Sequence, residues 1–179
     1  PAGSLEPVAE TMLRDREREA TFEALLREHG AALQRVAASY EADPELRDDL
    51  YQEICLAIWK ALPSFRGDAS VRTFLFRIAH NRGLSHGWRE GRLPGPLEGP
   101  EALPDPTDSP EEAVDRSRRR ARLLSAIRRL PLGARQVLTL RLEGLSFKEI
   151  AEVTGLTENN AMVRASRARK ALKEILESE

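Results

Sequence analysis

Apolar residues recur along this chain at spacings of three and four, the period of helices with one buried face, and no stretch alternates residue by residue as a strand would. Positions 22, 25, 26, 33 and 36 form one such stripe and predict a helix over residues 22 to about 40, despite Gly30. Asp43 and Pro44 open a second helix that runs to Leu62 and stops at Pro63. Its core stripe is Leu46, Leu50, Ile54, Ala57, Ile58 and Ala61, with Asp48, Asp49, Gln52 and Glu53 towards the other side. After a polar loop over 62–70, a third helix begins near Ser70 and continues to about Trp88. It holds Phe74, Leu75, Ile78 and Ala79 inward and Arg72, Arg77, Arg82 and Arg89 outside. The pattern is that of an all-α protein.

The end of the chain reads as helix, tight turn and basic helix, the arrangement that sets a second helix into a DNA major groove. Ser146 and Glu149 form an S-x-x-E capping box, Gly155 sits where the first helix must stop, and Thr157 caps the next. Ala161, Ala165, Ala168 and Leu172 give that last helix a narrow apolar face suited to close packing. Its other face carries Asn159, Asn160, Val163, Arg164, Arg167 and Lys170. Asparagine can bond adenine edges, arginine guanine edges, and basic side chains phosphates. A basic helix face is also common as plain solvated surface, so the capped turn carries as much of the argument as the charges.

The net charge of −1 conceals a segregation. Residues 1–93 sum to −2, residues 94–115 to −7 with no basic side chain, and residues 116–179 to +8. The C-terminal part has the electrostatic footprint of a DNA-binding module. Residues 94–115 are rich in Pro and Gly and uniformly acidic, which predicts a flexible linker between two small helical domains, 21–93 and 116–179. Ser109 and Pro110 look like the cap and first position of the following helix. Residues 1–20 have little apolar content and are expected to be a disordered tail. Within the first domain, residues 41–53 sum to −5 and 66–92 to +4. The acidic run suits a basic protein partner or simply water. Aromatics among arginines suit single-stranded nucleic acid, with Phe65 and Trp88 the available rings.

Cys55 is the only cysteine, so neither an internal disulfide nor a thiolate zinc site can form within the chain. The three histidines, His29, His80 and His86, lack metal-ligand spacing, and a surface or DNA-facing role is expected of the last two. No nucleophile motif or phosphate loop appears. The expectations are therefore no enzyme activity, no catalytic or metal-ligating residue, no cofactor and no small-molecule substrate. No apolar run is long enough to enter a membrane and no signal-peptide core stands at the start, pointing to the cytoplasm.

Taken together, the two halves resemble a sigma factor of the sigma-70 family, specifically the extracytoplasmic-function (ECF) group. Asp48-Asp49-Leu50-Tyr51-Gln52-Glu53-Ile54-Cys55-Leu56-Ala57-Ile58-Trp59 is similar to the family's D-L-x-Q-E-x-F-x-x-x-W helix. Thr73-Phe74-Leu75-Phe76-Arg77-Ile78-Ala79-His80-Asn81 is similar to its T-W-L-x-x-I-A-x-N stretch. Leu130-Pro131, Arg135, Val137-Leu138, residues 145–151, Arg164 and Arg167-Ala168-Arg169 match its C-terminal module. The likeness covers about residues 20–90 and 115–177.

The resemblance implies a region 2 followed by a region 4. It implies that Asp48, Asp49, Gln52 and Glu53 dock on the largest subunits of core RNA polymerase. Ser64, Phe65, Arg66, Arg77, His80, Asn81 and Trp88 would melt and hold the minus-ten element of promoter DNA, with a flipped base in the loop. Thr157, Asn159, Asn160, Val163, Arg164, Arg167 and Lys170 would read the minus-thirty-five element as duplex. The linker would cross the RNA exit region, where its acidity can mimic nucleic acid, and an anti-sigma protein is an implied partner. Phe74 stands where the family has Trp, and Asn159-Asn160-Ala161 replaces its G-T-V, which leaves the promoter sequence open. Two other readings fit parts of the pattern: a dimeric helix-turn-helix regulator with a palindromic site, and an adaptor that sequesters a basic partner.

Overall fold

The computed structural model describes the backbone of residues 6–90 and 110–178, and side chains over 14–90 and 114–178. Among the described residues the order is α1 (Glu6–Tyr40), α2 (Pro44–Ala61), a 3-10 turn (Leu62–Ser64), α3 (Val71–Arg89), α4 (Pro110–Arg128), α5 (Leu132–Leu142), α6 (Phe147–Thr154) and α7 (Glu158–Glu177). Helix starts follow local chemistry. Asp43 accepts from the backbone N–H of Glu45 and Leu46, and Pro44 occupies the first turn of α2. Ser70 caps α3 through the Thr73 N–H.

One expectation is corrected. α1 reaches back to Glu6, so most of the expected disordered tail is helical. Within this stretch the Arg18 guanidinium lies 4.0 Å over the Trp59 ring and donates to the Trp59 carbonyl at 2.5 Å. Phe22 meets the same indole edge-on at 5.3 Å. At the other boundary α4 begins at Pro110, the first helical position expected there, so residues 110–115, counted with the linker by composition, are helical. Ser109, the expected cap, and most of 94–115 lie outside the described residues.

The first three helices pack as expected, α1 against α2 and α3 around Leu33, Val36, Leu50, Ile54, Ile58, Leu75 and Ala79. Phe76, not among the expected inward residues, is fully buried there. The second unit closes α4 on α5 and α7 through Ala126, Ile127, Leu130, Leu138, Ala168 and Leu172. The two units do not keep separate cores. Val137, Leu140, Leu145, Ile150, Val153, Ala161 and Ala165 join the first unit's apolar cluster, with α6 laid against α3.

Polar contacts frame that junction. Arg35 of α1 donates to both carboxylate oxygens of Glu143, at 2.6 and 2.7 Å. Arg72 of α3 donates to the Glu143 carbonyl. Arg128, at the end of α4, is fully buried and donates to the Ala38 carbonyl at 3.3 Å. Burial and the nearby charges of Arg47 and Arg135 depress its pKa.

Candidate polymerase and nucleic-acid interfaces

Helix α2 turns Asp48, Asp49 and Gln52 to solvent, while Leu50, Ile54, Ala57 and Ile58 face the core. Glu53 is half-buried and receives both of its bonds from Arg89 of α3, at 2.6 and 2.7 Å. The acidic run at 41–53 thus divides its work. Glu41 is sealed in the interior, 3.0 Å from Nε2 of His86, and Asp43 is a cap. That leaves Glu45, Asp48 and Asp49 as exposed acids on this side of α2. Leu56, three and four residues beyond Glu53 and Gln52, is 52% exposed on the same helix face. The sequence carried that signal as an apolar residue off the buried stripe. Cys55 is half-buried beside Tyr51, and burial raises its thiol pKa, as expected of an inert cysteine.

The loop and α3 present a second face. Ser64, Arg66, Arg77, Asn81 and Trp88 are exposed, Trp88 the most of any large apolar side chain among the described residues at 68%. Phe65 is half-buried, its ring 4.7 Å from that of Phe74, so the loop is seated on α3. Gly67 takes a φ of +79°, the left-handed turn that lets the loop double back. His80 does not belong to this face. It is 2% exposed, its Nδ1 lies 2.5 Å from the Tyr40 hydroxyl, and burial lowers its pKa to about 3. His86 is buried as well, against the expectation of a surface role for both. Each lies on the side of α3 that faces the C-terminal end of α1.

The third face is built as its sequence requires. The Ser146 hydroxyl accepts from the Glu149 N–H, and the Glu149 carboxylate accepts from the Ser146 N–H at 2.7 Å. That backbone bond holds the Glu149 carboxyl below its usual pKa. Gly155 ends α6 at φ +74°, and Thr157 caps α7 through the Asn160 N–H. With Ala161, Ala165, Ala168 and Leu172 buried, Thr157, Asn159, Asn160, Val163, Arg164, Arg167 and Lys170 all stand exposed. Met162, 48% exposed beside Val163, is an apolar member of this surface that helical spacing alone did not single out.

Known proteins carry this same order of parts. Residues 25–92 match the family Sigma-70 region 2, and residues 111–172 match Sigma-70, region 4. The RNA polymerase sigma-H factor of Pseudomonas aeruginosa is 32% identical over 167 residues, spanning 87% of this chain and 86% of that protein. This chain is a sigma-70 family member. The ECF RNA polymerase sigma-E factor of Escherichia coli K12 is 32% identical over 134 residues, 69% of this chain and 70% of that one. A solved structure of CnrH in complex with the cytosolic domain of CnrY covers 90% of each chain with a TM-score of 0.66 and 28% identity. The protein is accordingly an ECF-type sigma factor, which directs RNA polymerase to promoters and takes part in transcription initiation. No described helix of this sigma factor is long and apolar enough to cross a membrane, and the described residues hold no cluster of metal-binding side chains.

Proposed function

We propose that this sigma factor divides its task among the three exposed faces. Asp48, Asp49, Gln52 and Glu53 dock on core polymerase, with Leu56 as the apolar centre of the contact. Glu53 exchanges Arg89 for a polymerase cation as it does so, which frees Arg89 for phosphate. Ser64, Phe65, Arg66, Arg77, Asn81 and Trp88 open and hold the minus-ten strand, Trp88 as a stacking platform and the arginines on the backbone. Residues 157–170 read the minus-thirty-five duplex, with the asparagines and Arg164 near base edges and Lys170 on phosphate. Region 2 then spans about 21–93 and region 4 starts with α4. The chain performs no bond chemistry itself and works in the cytoplasm. An anti-sigma protein is its proposed regulator, by analogy with CnrH, which is seen in complex with the cytosolic domain of CnrY.

The observation that carries this reading is the coexistence of an acidic, partly apolar α2 face with a capped recognition helix on the same chain. A dimeric regulator needs the second feature but has no use for the first. The test is gel filtration with bacterial core RNA polymerase. A stable one-to-one complex is expected, and Asp49→Arg should abolish it while leaving the helical circular dichroism unchanged. Co-elution that survives Asp49→Arg would show that the acids are only solvated. A dimer that binds DNA without polymerase would favour the ordinary regulator.

A further inference from the structure

Arg164, one of the exposed side chains of the α7 face, does not project freely from its helix. It stands on the border of the buried side of α7, three residues after Ala161 and four before Ala168, both of which are sealed from solvent. From there its guanidinium lies over the first turn of α5, where α5 and α7 pack together. A Cβ built on Gly133, the second residue of α5, would meet Nη1 of Arg164 at 2.8 Å and its Cζ at 3.8 Å. Apart from chain neighbours and the helix's own backbone, nothing else among the described residues comes within 4 Å of that point. The guanidinium occupies the space that a side chain at 133 would fill.

The backbone does not require a glycine there. Among the described residues Gly67, Gly144 and Gly155 take positive φ, and Gly133 does not. Inside a right-handed helix glycine is less stable than alanine. What the missing side chain provides is a seat for Arg164. The seated guanidinium is also uncommitted, since no hydrogen bond or ion pair among the described residues involves Arg164. Its neighbours differ: Arg141 donates to the Leu145 carbonyl at 2.9 Å, and Arg135 is buried with bonds to the Arg128 and Leu130 carbonyls. The Arg164 donors thus remain for a ligand, and a bidentate contact with a guanine edge needs two of them in a fixed direction. An arginine rested on a surface beforehand loses less rotamer freedom on binding than one that sweeps through water.

We propose that Gly133 is a positioning residue for promoter recognition: its bare Cα is the shelf that aims the Arg164 guanidinium at the minus-thirty-five duplex. The proposal rests on the assignment of α7 as the reading helix above. Gly133 sets specificity through Arg164 rather than by a contact of its own. A methyl group at 133 displaces only the end of a flexible side chain, so it re-aims the guanidinium without moving either helix. Stability and recognition are opposed at this one position, because alanine improves the helix and spoils the aim.

The test separates the two effects. The wild-type chain selects its preferred duplex from a randomised pool, and fluorescence anisotropy then follows that duplex and its single-base-pair variants. Gly133→Ala is expected to lose at least about threefold in affinity, part of the about 5–150-fold that a whole bidentate contact is worth. It should flatten discrimination at the base pair that Arg164→Ala flattens, with a urea midpoint equal to or above that of the wild type. In an Arg164→Ala background the same substitution should change neither affinity nor preference, because the side chain it displaces is gone. Wild-type affinity and discrimination in Gly133→Ala would overturn the proposal. So would an equal loss in both backgrounds or a lowered urea midpoint, since either means that the methyl group acts on something other than Arg164. A pool in which the wild-type chain enriches no sequence, or unchanged binding in Arg164→Ala, would count against α7 as the reading helix, and the proposal falls with it.

Discussion

His80 sits in the core with Nε2 unbonded and Nδ1 against the Tyr40 hydroxyl, and burial lowers its pKa to about 3. In the unfolded chain the same ring protonates near 6.5. Between those values the unfolded state binds a proton that the folded state refuses, so stability falls as pH drops below about 6.5. The loss at pH 5 is on the order of 2 kcal/mol. Urea midpoints at pH 7.5 and 5.0 measure it, and His80→Gln should shrink the difference; an identical difference in the variant would mean that the ring is not sealed. The recognition arginines obey other physics because they are exposed. Arg164→Ala and Arg167→Ala should each weaken minus-thirty-five duplex binding by about 1–3 kcal/mol, where each makes a bidentate base contact. Fluorescence anisotropy on a short duplex measures this, and unchanged affinity in both variants would remove α7 as the reading helix. The sequence placed these side chains correctly because position on an amphipathic helix suffices for an exposed residue. It misplaced His80 because nothing local shows that Tyr40, on another helix, covers that side of α3.

At the scale of elements, α1 and α3 approach closely where Gly83 faces Tyr40. A Cβ on Gly83 would lie 2.4 Å from Cδ2 of the Tyr40 ring, far inside contact distance. Gly83→Ala, which in an open helix would stabilise, should therefore destabilise by about 1–3 kcal/mol, as overpacking does. Chemical denaturation gives the value, and a neutral or stabilising result would show that the ring can swing aside. Because Tyr40 also bonds His80 and Gln136, the variant should disturb the junction of the two units as well. Helix boundaries were largely legible beforehand. Asp43, Ser70, Ser146 and Thr157 cap the helices they announce, since capping depends on residues within one turn. The N-terminal reach of α1 was not legible, nor was the contact of its Arg18 with Trp59, forty-one residues away. Glu41 shows the same limit: it reads as one more surface acid but serves as the buried partner of His86.

For the whole molecule, the decisive feature is that one apolar cluster runs through both helical units, with Glu143 at its polar edge. Charge and composition divided the chain at the acidic segment, and α4 begins within its last residues. Composition cannot report whether two units touch, because that depends on matching surfaces. The junction has a thermal signature. Each unit borrows stability from the other, so breaking the Arg35–Glu143 pair should lower the melting of the weaker unit while the stronger one is barely affected. Glu143→Gln keeps the shape and removes the charge, at a cost of about 1 kcal/mol for a partly screened pair. For a unit of about 60–100 residues that corresponds to a fall of roughly 4–8 °C. Differential scanning calorimetry of the two proteins would show the lower transition moving by that amount and the upper one holding. An unshifted trace would mean that Arg35 and Glu143 are ordinary surface charges and that the apolar contact alone holds the units together.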